Sequence, residues 1–579
     1  MTYLFNNPAN FADELIEGFV AAHRHQIQRV DGGVMRRQRA KTGQVVVVIG
    51  GGSGHYPAFG GFVGLGLAHG AAMGNIFAAP SAQQICHVAQ AVDAGGGILF
   101  CYGNYAGDVL NFNLAQERLR VQGIDVRTIV VTDDLASASV IEKHKRRGIA
   151  GTLPVFKAAA IAADAGKSLD EVFRIATEAN ERVCSLGVAF SGCTLPGANK
   201  PLFEVMNGKM EVGMGIHGEP GLYRIDSLTA DGVAEMLVDK LLSEVPQAVS
   251  DVSGARVGVI LNGLGAVKYE ELFVVYRKIE QLLSARGLII VEPVVDELIT
   301  SFDMAGISLT LFWLNEELEQ TWIAAADTPA FHRGVIADIA HLIGNDIEAK
   351  SAAEKLPVKP GAADSQAAAK IVLSAFEAAV DAINAQQEYL GRLDAIAGDG
   401  DHGFGMLRGL SAAVDAAKAA LNAQAGAGTL LMVAGDAWSN RAGGTSGMLW
   451  GVILRNLGNA LGDDARPNSA TVAAGVASAL QAVIDLGKAQ PGDKTLVDVL
   501  YPFSTALNDG AAKGLSLAEA WTAAAEIAGQ SAEATKNLIP KIGRARPHAD
   551  KSIGHSDPGA VSMAMIIDAA GRIIRKHCD

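Results

Sequence analysis

The chain has 579 residues, 49% hydrophobic and 19% charged, a balance that buries large cores and excludes both a single small module and a disordered chain. Its 48 Lys plus Arg against 62 Asp plus Glu leave a net charge of −14, the wrong sign for a protein that binds nucleic acid by neutralising phosphates. No run reaches the ~18–20 uninterrupted apolar residues of a membrane-spanning helix. No basic segment followed by an apolar one opens the chain. The five cysteines, Cys86, Cys101, Cys184, Cys193 and Cys578, include no CxxC pair, as befits reduced thiols. These features point to a cytoplasmic protein without a membrane or nucleic-acid partner.

QVVVVIGGGSGHYP, from Gln44, reads as a β-branched strand that ends in glycines, and GGGILFCYGNYAGD repeats the plan about fifty residues later. A helix around Leu114–Gln122 and the strand VRTIVVTDD continue a parallel α/β pattern. ARVGVILNGLG, from Ala255, a long helix pattern and GLIIVEPVVDELITSFDMAGISLTLFWL carry α/β character to Leu314, with a division into two lobes near Ser185. The polar, Ala-rich stretch from Asn345 to Lys370 reads as a linker. Beyond it, AAKIVLSAFEAAVDAINAQQEYL and AGVASALQAVIDLGKA show helical spacing, and only the last apolar run of the chain is left open to a strand.

LDAIAGDGDHGFGM sets Asp394, Asp399 and Asp401 among glycines at a helix end. Hard carboxylate oxygens suit Mg²⁺, whose open positions take nucleotide phosphates; the bland alternative is a solvated acidic turn. RAGGTSGM around Gly443–Gly447, PGDKTLVD with Asp493 and Lys494, and GHSDPGA with Asp557 and Gly559 each offer a phosphate cradle or merely a turn. Four such motifs in one helical region favour a nucleotide site, although no GxxxxGK[ST] or protein-kinase signature is present. In the first half, His55 of GGGSGHYP and Asp108 of GNYAGD follow strands, where parallel sheets present ligands. An imidazole and a carboxylate there can move a proton to or from a hydroxyl, or serve as a backbone partner and a helix cap. His217 of GMGIHGEPG, between glycines, is either a solvent-exposed loop histidine or a nucleophile for a ketone carbonyl.

In this order over nearly the whole chain, GGGSGHYP, GNYAGD, GMGIHGEPG, LDAIAGDGDHG, GGTSG, PGDKT and GHSDPGA strongly resemble the ATP-dependent dihydroxyacetone kinases. The resemblance implies an α/β substrate half of two lobes, 1–185 and 186–340, the second carrying the His217 loop. A linker at 341–369 and an all-α helical-barrel domain at 370–579 that binds ATP through Mg²⁺ follow, usually in a homodimer. By the same resemblance, His217 forms a hemiaminal with the C2 carbonyl of the ketose, Gly52, Ser53, Gly54 and His55 form the substrate loop, and Asp108 with His55 is the acid/base pair. Asp394, Asp399 and Asp401 match the magnesium ligands. His402, Gly403, Phe404, Gly405, Thr445, Ser446, Gly487, Leu496, Arg544, Asp557, Pro558 and Gly559 match nucleotide contacts.

Two positions depart from the pattern. Gly103 stands where the family usually has a substrate-reaching lysine, which removes a cation and opens space for a four-carbon ketose, and GRARPHADKSIGH alters the loop after Arg544. The expectation is an ATP-dependent kinase of dihydroxyacetone, with erythrulose as the alternative substrate. An FAD-splitting lyase and a phosphocarrier-dependent subunit with resident ADP are the rival readings.

Overall fold

The computed structural model describes residues 2–247, 249, 251–336, 359–398, 400–543, 545–546 and 549–578. The chain divides into two compact units, Met1–Ser351 and Ala352–Asp579.

The first unit is α/β. One sheet has strands β1 (Ile27–Val30), β2 (Gly33–Arg36), β3 (Val46–Ser53), β4 (Gly70–Ile76), β5 (Ile98–Gly103) and β6 (Val126–Val131), in the order β1-β2-β4-β3-β5-β6. The pairs β4/β3, β3/β5 and β5/β6 are parallel, whereas β1/β2 and β2/β4 are antiparallel. Val46–Ile49 of β3 are fully buried, which is why an apolar run without alternation forms a strand here: helices cover both faces. Burial of each such side chain contributes ~1.5–3 kcal/mol. β4 follows on one side of β3 and β5 on the other, so a crevice opens at its carboxyl end. The helix Ala82–Val92 starts in a capping box of Ser81 and Gln84, and Ala106–Val121 starts directly after β5.

The second sheet has β7 (Val183–Ala189), β8 (Lys209–Val212), β9 (Tyr223–Asp226), β10 (Arg256–Gly263), β11 (Ile289–Ile290), β12 (Val294–Asp296) and β13 (Gly306–Trp313). Its order is β11-β10-β13-β7-β8-β9, with β12 also on β10. The pairs β10/β13, β13/β7, β7/β8 and β8/β9 are antiparallel. Helices Ala230–Leu242 and Tyr269–Ala285 add Leu237, Leu241, Leu272 and Ile279 to its core. The lobe boundary read at 185/186 falls inside β7.

The second unit is helical. Ala363–Ala385, His402–Asn422, Ala427–Ala442, Gly444–Leu461, Ser469–Gly487, Val497–Ala512, Leu517–Ala534 and Pro558–Cys578 each pack on the next, and the last returns to the first, closing a barrel around Phe376, Trp450, Phe503 and Trp521. The first of these begins inside the segment read as linker, of which residues 341–358 lie outside the described residues. The final run of the chain, left open to a strand, is the helix Pro558–Cys578. Ser469–Gly487 is long and apolar enough on average to cross a membrane, although Gln481 interrupts its run. In this fold its Val472, Val476, Ala479 and Val483 belong to the barrel core.

Candidate functional site

In the α/β unit, β3 leads through its terminal glycines to His55, and β5 leads through Gly103 to Asp108 in the first turn of the following helix. The helix N-terminus favours a carboxylate there. The loop between β8 and β9 brings His217 across from the second sheet. Gly52, His55, Asp108 and His217 line one narrow cleft, together with Gly103, Tyr105 and Gly148. Ser53 and Gly54 form the turn beside it, and Ser53 donates its hydroxyl to Gly74 O at 2.7 Å. The chemistry is sheltered: His55 is 1% exposed, His217 5% and Asp108 8%.

The partners of the two imidazoles fix their tautomers. His55 Nδ1 donates to Thr300 O at 2.8 Å. His217 Nδ1 lies 3.1 Å from Glu219 Oε1 and donates to that carboxylate. The two Nε2 atoms face each other at 3.1 Å. With both Nδ1 protons committed, a hydrogen bond across this gap requires one further proton, shared by the two Nε2 atoms. Whichever ring lacks it presents a lone pair in a sheltered cleft. Aromatic walls hold both rings: Phe77 stacks on His55 at 4.8 Å, and Tyr105 meets His217 edge-on at 4.6 Å. The Tyr105 hydroxyl donates to Gly148 O at 3.0 Å, and burial holds its phenol neutral.

In the helical unit, Asp394 ends the helix Gln387–Asp394 and accepts from Gly400 N at 2.9 Å and His402 N at 3.3 Å, which folds the GDGDH loop around its carboxylate. Asp401 precedes the next helix; burial, with the like charge of Asp394 second, pushes its carboxyl up to about 7. Asp557 is also pushed up to about 7, by burial first and then by Asp394 and Asp498, while it caps the last helix through Ala560 N at 2.8 Å. His402 Nε2 pairs with Ser562 Oγ at 2.8 Å, which ties the GDGDH loop to that last helix. Leu496 and Gly559 are neighbours: a methyl on Gly559 would stand 3.8 Å from Leu496 Cβ. Thr445 and Ser446 lie in the first turn of Gly444–Leu461, and Gly487 ends the next helix, Ser469–Gly487, beside Leu449 of the former.

The charge of Asp394 opposes ionisation of both Asp401 and Asp557, a crowding of partly buried carboxylates that a hard divalent cation compensates, so the donor set fits Mg²⁺. Among the described residues no three such side chains converge as a complete ligand group. Asp399 and Arg544 lie outside the described residues.

Sequence reasoning missed several participants. Glu219 and Tyr105 were in sight inside GMGIHGEPG and GNYAGD, but Phe77 carries no local signal, nor does Arg147, whose Nη1 stands 3.7 Å from Glu219 Oε2. Lys494 of PGDKT donates to Ser552 O at 2.6 Å and Leu538 O at 3.2 Å, so it fastens a loop. Arg408 packs near Asp401 and donates to Ala442 O at 3.0 Å, just before the GGTSG turn.

Residues 17–330 match the Dak1 domain and residues 396–572 the DAK2 domain. The chain is 57% identical over 575 residues to the L-erythrulose kinase of Pectobacterium atrosepticum, covering 99% of this chain and 97% of the relative. It is 51% identical over 570 residues to the D-erythrulose kinase of Mycolicibacterium smegmatis, with 98% and 97% covered. Among solved structures it is similar to the dihydroxyacetone kinase from C. freundii in complex with AMP-PNP and Mg²⁺, at 30% identity and a TM-score of 0.52 over 99% of both chains.

Proposed function

Because the chain is a phosphotransferase of the dihydroxyacetone kinase family, with Dak1 and DAK2 domains in one polypeptide, we propose that it moves the γ-phosphoryl group of ATP to a terminal hydroxyl of a short-chain ketose held on His217. The observation that carries this reading is the facing pair of His55 and His217 Nε2 atoms in a cleft at the carboxyl end of β3. Erythrulose is the favoured ketose: two erythrulose kinases are similar over nearly their full length, and Gly103 brings no side chain to the cleft it lines. Dihydroxyacetone is the three-carbon alternative.

The shared proton explains how capture proceeds. His217 Nε2 attacks the C2 carbonyl carbon, the carbonyl π pair moves to oxygen, and that oxygen takes the proton held on His55 Nε2. One C–N bond and one O–H bond form. The positive charge passes from the His55 ring to the His217 ring, beside Glu219. Asp108 then accepts the proton of the terminal hydroxyl as the hydroxyl oxygen bonds to the γ-phosphorus, and the bond from that phosphorus to the β–γ bridging oxygen breaks, releasing ADP.

In the helical unit, Asp394 and Asp401, with Asp399 between them in sequence, would hold Mg²⁺, which when bound offsets phosphate charge. His402–Gly405, Thr445, Ser446, Gly487, Leu496 and Asp557–Gly559 form the nucleotide-contact set, and Arg544 is the cation for the transferring group. The family resemblance further supports a cytoplasmic homodimer.

His217→Ala tests the reading. The wild-type protein gains the mass of one ketose per chain by native mass spectrometry, and the variant gains none while still binding Mg-ATP. An adduct of unchanged yield in His217→Ala refutes it.

A further inference from the structure

A carboxylate two residues from His217 is placed to decide which of its ring nitrogens can act. Glu219 is 5% exposed, and its two oxygens are divided between two groups of one residue: Oε2 accepts from His217 N at 3.0 Å, and Oε1 faces His217 Nδ1 at 3.1 Å. Behind it, Arg147 Nη1 stands 3.7 Å from Glu219 Oε2. Asp134 Oδ2 holds Arg147 in turn, at 2.9 Å from Nε and 2.8 Å from Nη2. Arg147 also donates from Nη2 to Gly213 O at 3.2 Å, so the guanidinium is tied to the first glycine of GMGIHGEPG. The second glycine makes room for the junction: a methyl on Gly215 would stand 2.1 Å from Glu219 Oε2 and 2.5 Å from Arg147 Nη1. The motif thus builds a buried line from Asp134 through Arg147 and Glu219 to His217.

We propose that Glu219 is a positioning residue that keeps the proton of His217 on Nδ1 and so leaves Nε2 as the ketone-attacking atom, with Arg147 and Asp134 holding Glu219 ionised. A neutral imidazole has one proton for two nitrogens, and a charged acceptor at Nδ1 draws it there. The Arg147 cation opposes proton uptake by Glu219. Burial works against the charge of Arg147, but Asp134 and Glu219 more than offset it and raise its pKa. When His217 becomes an imidazolium on bonding to carbon, the same carboxylate balances the new charge without moving. A carboxylate acts in this way behind the histidine of a serine-protease triad, where amide replacement leaves the geometry intact but puts the ring in the wrong tautomer.

The consequence for ketose capture rests on the kinase reading above, whereas the tautomer does not, and the two are measured separately. The experiment uses the full chain labelled with ¹⁵N-histidine. Two-bond ¹H–¹⁵N correlations of the ligand-free protein, with the His217 signal identified by its loss in His217→Ala, report the ring tautomer. Native mass spectrometry with L-erythrulose, D-erythrulose and dihydroxyacetone reports adduct formation. Glu219→Gln is expected to move the His217 proton to Nε2 and to slow adduct formation by roughly 10²–10⁴-fold, with the KM for Mg-ATP unchanged. Glu219→Asp, which keeps a charged acceptor, is expected to restore the Nδ1–H form and at least a tenth of the adduct rate.

A Glu219→Gln protein that keeps the Nδ1–H tautomer and an adduct rate within threefold of wild type overturns the proposal. So does a folded Glu219→Asp protein with the Nε2–H tautomer, which decides the matter alone where the amide variant does not fold. Absence of an adduct from the wild-type protein with every ketose refutes the covalent reading and leaves the tautomer to judge Glu219.

Discussion

The two units of the chain handle charge in opposite ways. In the α/β unit the buried ions at the cleft are matched: Asp134 with Arg147, Arg147 with Glu219, Glu219 with the histidine pair. In the helical unit burial and the charge of Asp394 raise the proton affinity of both Asp401 and Asp557, Arg408 offsets only part of this at Asp401, and Lys494 spends its hydrogen bonds on Ser552 and Leu538. A site that reacts with a neutral ketone needs its own protons already arranged. A site for a polyanion and its metal is instead built around the charge it will receive.

Variants in one unit should therefore leave the partner substrate's binding untouched. Asp108→Asn should lower turnover by roughly 10²–10⁴-fold while calorimetry shows Mg-ATP binding within twofold of wild type. Unaltered turnover would return Asp108 to the role of a helix-start carboxylate. Asp401→Asn should lower turnover by about 10²–10³-fold and abolish the Mg²⁺ dependence of nucleotide binding, yet leave the ketose adduct at full yield. It should also raise the melting temperature of the nucleotide-free protein, because one like charge is removed.

Lys157 is an exception within the α/β unit. It is fully buried, its ammonium donates to Ala324 O at 2.6 Å, and burial together with Arg333 pushes it down to about 7. Between pH 7 and about 10.4 the unfolded chain binds the proton and the folded chain does not, so stability rises with pH across this window. The increment is about 1.4 kcal/mol per pH unit. Below pH 7 both states are protonated and the cost is constant. Denaturant titrations of Lys157→Met should lose this rise between pH 7 and about 10.4; a wild-type slope retained in the variant would locate the dependence elsewhere.

The smallest effect concerns substrate length. A methyl on Gly103 would stand 3.1 Å from Gly148 O and 3.2 Å from Tyr105 Cε2, tight against the wall of the cleft. Gly103→Ala should lower the ratio of kcat/KM for erythrulose over dihydroxyacetone by about tenfold, the usual worth of one carbon in a pocket. An unchanged ratio would mean that the fourth carbon lies elsewhere.

The sequence was legible where chemistry repeats locally. The β-branched run before His55 and the apolar run before Asp108 announced β3 and β5, and the Ala/Leu periodicity announced the barrel helices. Strand direction was not legible. β13 is buried on both faces and pairs antiparallel with β7 and β10, and an uninterrupted apolar run reads the same in either direction. The site was legible as separate motifs only. His55 and His217 are 162 residues apart, and no pattern in either motif says that their Nε2 atoms meet. Glu219 was visible beside His217, but its meaning depends on Arg147, which arrives from another loop with no signature.

By this proposal the chain phosphorylates a short-chain ketose with ATP. The direct measurement is Mg-ATP-dependent ADP release with L-erythrulose, D-erythrulose, dihydroxyacetone, glyceraldehyde and glycerol, compared as kcat/KM. Turnover with the ketoses, highest for an erythrulose, and none with glycerol is the expected result. Equal turnover with glycerol would contradict ketone capture by His217, and silence on every ketose would contradict the kinase reading and turn attention to flavin-nucleotide cleavage or a phosphocarrier donor.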